Sequence, residues 1–406
     1  MKQERRIVYA GVDTHQDEHV AAVIDDIGAL LGTKSFPTTP LGLKALQRWI
    51  AGHGHVAKVG VEGTGTYGLG LQRVLQDAGH EVVEVNRPNR QLRRTKGKSD
   101  PVDAESAARA VLAGHASATP KTHDGIVESI RVLLVAHTST RQALQKVDGR
   151  LHSLVITAPE ALRIELAHLS AVQRAETAAR LRPSHDPADI TTATKTALRT
   201  LARQRQMLAH DLKALTNQLE GLTTTANPSL RQVHGVGPIV AANLLVTAGD
   251  NPERMTSEAA FAALCGASPV QASSGKTTAV RLNRGGHRHA NSALYRIAVV
   301  RMSKHHPPTM DYVTRRTAEG KSQPAILRCL KRYIAREIYH HLVNPQPGVR
   351  TDDLRTQRQT LNQPIRVVSE AIGATIMAIS RLERGTNHDP DLATRYRAWL
   401  QQQNAS

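Results

Sequence analysis

Aromatic residues are scarce in this chain of 406 residues: two Trp, seven Tyr and two Phe make up 3% of it. A protein that binds nucleic acid chiefly by stacking bases on an aromatic platform is therefore not expected. Cysteine is scarcer still. Cys265 and Cys329 are the two present, both in segments that read as helical. They point to reduced thiols, not to a disulfide framework or a zinc site. No apolar run approaches the ~18 residues needed to cross a bilayer. Met1 to Arg6 is charged and leads straight into a strand-like segment, which argues against a secretory leader and for a cytoplasmic protein. Acid is in deficit: 53 Lys and Arg stand against 35 Asp and Glu, a formal excess of +18. Such an excess asks for a polyanionic partner, nucleic acid ahead of an anionic membrane surface. The hydrophobic fraction of 40% supplies real cores and excludes a mostly disordered chain.

The order of patterns divides the chain into four stretches. In residues 1–120, strand patterns at 6–13, 19–24, near 28–36, 56–62 and 81–86 come with helix patterns after Pro40, from Thr66 to Ala78 and from Asp100 to Leu112. Hairpin-like strands followed by alternating helix and strand predict a mixed α/β sheet. Residues 121–225 carry apolar residues at 3/4 spacing, with leucines at 198, 201, 208, 212, 215, 219 and 222, and His137, Thr140 and Arg205 on the seam. This predicts a helical spacer, either an intramolecular hairpin or an intermolecular coiled coil. Residues 226–345 are mainly helical with several Gly turns, and residues 346–406 form a small helical tail after Pro345, Pro347 and Gly348.

Four carboxylates stand at element ends. Asp13 closes the first strand and Glu62 the fourth. Asp100 and Asp103 open a helix, with Asp100 expected as its N-cap and Pro101 in the first turn. Hard divalent cations want such oxygens, and a pair of ions can clamp the attacking and leaving oxygens of a phosphodiester. Arg87, Arg90, Arg93, Arg94, Lys96 and Lys98 precede the helix with no acid among them. They suit a phosphate backbone led to the acids. Further on, Gly235-Val236-Gly237-Pro238 and the apolar helix after it look like a helix-hairpin-helix turn, whose backbone N–H groups can hold a phosphate. The stretch Gly266 to Thr277 ends in Ser-Gly-Lys-Thr, but the first glycine of an ATP-binding loop would fall at Val270. Arg281, Arg284 and Arg288 follow, again with no acid between.

Gly11-Val12-Asp13-Thr14-His15, Val61 to Tyr67 and Lys98 to Ala104 resemble the motifs of the bacterial DEDD transposases, and Gly266 to Thr277 resembles their second characteristic region. The resemblance implies a RuvC-like N-terminal domain with an RNase H-like fold. It puts metal-binding acids at Asp13, Glu62, Asp100 and Asp103, holding Mg2+, with Mn2+ as the other candidate. It also implies a nucleophile at Ser274, five residues after Pro269, which joins covalently to a DNA end while Lys276 and the three arginines contact the strand. Ser273 is chemically equivalent, so this choice rests on the match. The family implies DNA ends, multimeric assembly as a dimer or tetramer, and a structured guide RNA, in a nucleoid-associated protein of an insertion sequence. Val367 to Gly385 resembles the helix-turn-helix of Xre-type repressors. Alternatives are a RuvC-like or RNase H-like nuclease without serine chemistry, and a non-catalytic DNA-binding regulator.

Overall fold

The computed structural model describes residues 6–85, 99–273, 280–283, 285–304, 306–347, 351, 353–385 and 389–405. They fall into two compact units, 1–123 and 124–406.

The first unit is a five-stranded sheet in the order β3-β2-β1-β4-β5. Its strands are β1 (Ile7–Thr14), β2 (Glu18–Asp25), β3 (Leu30–Pro37), β4 (His55–Glu62) and β5 (Val82–Val85). β1, β2 and β3 form an antiparallel meander, whereas β4 and β5 run parallel to β1. Alternation along the strands builds two faces. Val8, Ala10, Val12, Val59 and Val61 pack under α1 (Pro40–Ala51) and α2 (Leu69–Asp77) through Leu46, Ile50, Leu71 and Leu75. Helix α1 starts where Thr39 accepts a hydrogen bond from the Gly42 amide and Pro40 presets the first turn. The opposite face is covered by α3 (Asp100–Leu112), whose Ala104, Ala107 and Val111 meet Val20, Ala22, Val83 and Val85.

The second unit begins with α4 (Ile126–Ile156) and α7 (Ile190–Ala226), which pack along one another. Val127, Ile130 and Leu134 share a core with Leu219, whereas Val147, Leu151 and Val155 share another with Leu198 and Ala202. The pair is therefore antiparallel, an intramolecular hairpin. Arg205 on its seam is neutralised by Asp148 at 2.6 Å. Two short helices absent from the sequence reading, α5 (Glu160–Leu166) and α6 (Ala171–Ala179), close the distal end.

The near end of the hairpin is built into the core of the next helices: α8 (Pro228–Gln232), α9 (Pro238–Ala248), α10 (Glu258–Leu264), α11 (Arg288–Ser303), α12 (Pro307–Ala318) and α13 (Gln323–Val343). A two-stranded ribbon, β6 (Pro269–Gln271) with β7 (Val280–Leu282), projects between α10 and α11. The tail has its own core across α14 (Leu354–Thr360), α15 (Ile365–Ile372), α16 (Ile376–Glu383) and α17 (Pro390–Ala405). Gly373 takes a left-handed φ of +63° between α15 and α16, and Thr375 caps α16 through the Ala378 amide.

Candidate active site

Val12 of β1 pairs with Val61 of β4, so Asp13 and Glu62 are neighbours at the carboxyl ends of two parallel strands. Both lie on the face covered by α3, since Val12 and Val61 point into the opposite core. α3 crosses that face very closely. A Cβ on Gly11 would strike the Ala104 carbonyl and the Ala108 amide, and one on Gly60 would strike Val111 and Val85. Only glycines on the sheet and alanines on the helix permit this approach. It carries the first turn of α3, with Asp100 and Asp103, to the strand ends. Asp13 and Asp103 are buried, and Glu62 and Asp100 are half-buried.

His15, just past the end of β1, completes the group. Its Nε2 lies 3.1 Å from Asp13 Oδ2 and 3.5 Å from Asp100 Oδ1. One donor atom from each of Asp13, His15 and Asp100 falls within 4.8 Å of the others. Thr14 Oγ1 donates to the Glu62 carbonyl at 2.8 Å, tying the two strand ends together. Burial pushes the Asp13 carboxyl above its ordinary range; His15 pulls it down, and the charges of Asp103 and Asp100 push it up again. A carboxylate held among carboxylates in this way is stabilised by a cation.

Asp100 is not the N-cap expected from the sequence. Ser99 holds that position, with no side-chain cap bond, and Asp100 is the first helical residue. The Asp100 carboxylate is directed to His15 instead. Arg87, Arg90, Arg93, Arg94, Lys96 and Lys98 lie outside the described residues. His15 was missed as a site residue although it belongs to the quoted motif. Its signal was the spacing of two residues from Asp13 at a strand end.

In the second unit, Val270 faces Arg281 across the β6–β7 ribbon, and the chain between the strands contains Ser274. Ser274, Lys276 and Arg284 lie outside the described residues. Ser273 and Arg281 are exposed, and Arg288 is the exposed first residue of α11. The base of the ribbon is a close crossing of two glycines: a Cβ on Gly286 would strike the backbone of Gly266, which has φ +63°. Asn291 fastens this crossing, its amide donating to the carbonyls of Cys265 at 2.8 Å and Gly266 at 3.2 Å. Burial pushes the nearby Cys265 thiol up to about 12, which keeps it protonated and inert. Gly235, with φ +89°, turns the chain between α8 and α9.

Residues 10–158 match a DEDD transposase family of the IS110 type, and residues 227–314 match the transposase family IS116/IS110/IS902. The chain belongs to the IS110 family of transposases. The mini-circle transposase assigned to IS117 in Streptomyces coelicolor is 24% identical over 330 residues, covering 68% of this chain and 80% of the relative. The first family match holds the acid cluster and the second holds the ribbon, so this transposase carries its two candidate centres in its two family regions. The tail from 346 onward lies outside both matches. Among the described residues no helix is long and apolar enough to cross a membrane.

Proposed function

We propose that this transposase cleaves and rejoins DNA strands by joining metal chemistry at the acid cluster to a serine nucleophile on the ribbon loop. One observation carries the reading: two parallel strand ends and a helix start bring four acids to one edge of the sheet. The strand order β3-β2-β1-β4-β5, with one antiparallel meander and two parallel additions, supports an RNase H-like, RuvC-like class for the first unit. Asp13, Glu62, Asp100 and Asp103 would hold Mg2+ or Mn2+. The donor set fits, because it is rich in carboxylate oxygens and its central acid is destabilised by its neighbours. Bound there, the ions would supply charge neutralisation at the phosphodiester.

In the serine step, Ser274 Oγ attacks phosphorus and loses its proton to a base. The phosphodiester P–O bond breaks, and the departing oxygen takes up a proton. The phosphoserine ester keeps the bond energy for rejoining. Arg281 and Arg288, with Lys276 and Arg284, would steady the negative charge that develops on the phosphoryl oxygens. The basic run from Arg87 to Lys98 would lead the backbone to the acids. A guide RNA suits the +18 excess, and homo-oligomeric assembly suits a chain whose two centres must act on several strand ends. The tail, with α16 as recognition helix, would place Thr375 to Arg381 toward a major groove.

The test is covalent trapping. Incubation with an element-end DNA and Mg2+ should give a denaturation-resistant adduct that maps to Ser274. Ser274→Ala should abolish both the adduct and strand exchange. Full recombination in that variant would reject the serine step and favour a metal-dependent nuclease.

A further inference from the structure

A second basic site lies beside the ribbon. The loop Gly266–Pro269, one edge of β7 and the facing sides of α12 and α13 enclose a cleft of about 610 Å3. Six cations line it: Arg281, Arg315, Arg316, Arg328, Lys331 and Arg332. Among the described residues, no carboxylate lines it. Two of the six bond to glutamates, Arg316 to the Glu319 carboxylate and Arg332 to the Glu258 backbone carbonyl. Among the described residues, Arg281, Arg315, Arg328 and Lys331 form no ion pair. Helical spacing sets the array, with Arg328, Lys331 and Arg332 on one face of α13 and Tyr312, Arg315 and Arg316 on one face of α12. Burial and then the charge of Arg328 hold the Lys331 ammonium below its ordinary range. Bringing these like charges together is costly without an anion between them.

Aromatics are few in this chain, yet two of its seven tyrosines meet here. Tyr312 and Tyr333 sit edge to face with centroids 5.4 Å apart, and Arg315 lies over the Tyr312 ring at 5.5 Å. Tyr333 is 56% exposed, leaving ring surface for another flat group. Cations for phosphates beside a ring for a base are what a nucleic-acid strand needs. An isolated phosphate would use only the cations, and an acidic peptide would leave the ring unexplained.

We propose that this cleft binds a single nucleic-acid strand, its phosphates on Arg315, Arg328 and Lys331 and one base against Tyr333. The identity of the polyanion rests on the nucleic-acid reading above; the site itself is new to it. The cleft is also wired to the ribbon. Lys331 Nζ donates to Asn291 Oδ1 at 3.0 Å, and Asn291 holds the Gly266 carbonyl at the ribbon's base. A strand seated here is thus positioned next to the base of the ribbon.

The experiment uses the full chain carrying Ser274→Ala, in EDTA, so that cleavage is silent. Fluorescent oligonucleotides of one sequence, as DNA and as RNA, are titrated by anisotropy across a salt series. Arg315→Gln with Arg328→Gln should weaken binding and flatten the log–log salt slope by about 1.4, at ~0.7 per contact on a single strand. Tyr333→Ala should cost about tenfold, and Tyr333→Phe should restore it. A loss confined to DNA assigns the cleft to a DNA strand, one confined to RNA to an RNA strand, and an equal loss to a backbone site for either. Iodouracil cross-linking should land on Tyr333. Unchanged affinity and slope in the double variant would overturn the proposal. So would displacement of the oligonucleotide by poly-glutamate at equal charge concentration. Neither result bears on the Ser274 adduct, which is scored separately.

Discussion

Asp13 carries its charge where burial and two neighbouring acids oppose it. Its folded pKa is raised, so the native chain binds this proton more tightly than the unfolded chain does. The stability contribution is therefore largest in acid and is lost as pH rises through the folded value. Asp13→Asn should raise the melting temperature at pH 7, and the gain should fade toward pH 4. Mg2+ at a hundred times its Kd should stabilise the natural chain by about 2.7 kcal/mol and leave Asp13→Asn unmoved. A calorimetric series with and without Mg2+ measures both. The four acids were legible because each closes or opens a regular element, and such ends converge in a mixed sheet. His15 was not, because nothing local distinguishes a ring that meets a second acid from one that faces water. Ser99 was not legible as the cap for a similar reason. Which residue caps α3 depends on where the Asp100 carboxylate is drawn, and that is decided by His15 from another element.

Helix α3 was predicted over the residues where it forms, from Asp100 to Leu112. Its depth against β1 was not, because the sequence shows a glycine and three alanines without showing that they touch. Gly11→Ala should test that contact. The added methyl has no room against the Ala104 carbonyl, so a loss of about 1–3 kcal/mol in urea unfolding is expected. The Mg2+ response should weaken with it, although all four acids remain. The tail gives a similar lesson. Pro364 is the N-cap of α15, just outside the helix its ring would otherwise break. The Ser369 hydroxyl donates to the Ala374 carbonyl across the turn at 2.5 Å. Glu383 is the tail's electrostatic pin, gripped by Arg358 at 2.7 and 3.0 Å and by the Tyr396 hydroxyl at 2.7 Å. Burial pushes this carboxyl up, but Arg358 and Tyr396 outweigh it and hold it below the ordinary range. Glu383→Gln should cost the tail about 3–5 kcal/mol, because Arg358 is left without its counter-charge. Hydrogen exchange over residues 353–402 of the full chain would report the loss.

Across the whole molecule, burial lowers the pKa of His19, His137, His234, His306 and His341 from the ordinary 6.5. Each contributes stability above the unfolded value that is lost as pH falls through the folded one. The urea midpoint should therefore drop between pH 7 and pH 5, opposite in sign to the Asp13 effect. The long hairpin sets a different property. Its leucine seam was legible as helix, but the partner was not, since a seam carries no mark of which chain fills it. The chain leaves the serine-bearing helices at Val127 and returns at Leu219, in one shared core. At ~1.5 Å per residue, the 37 residues of α7 span about 55 Å end to end, with Leu219 in that core and Leu198 and Ala202 in a separate small core toward the other end. Within the second unit, and among the described residues, one end of the arm shares the core of the following helices and the other end has its own. Trimming matched heptads from α4 and α7 would shorten its reach and leave the serine-bearing helices folded. The length of the arm is thus set by residues that belong neither to the acid cluster nor to the ribbon.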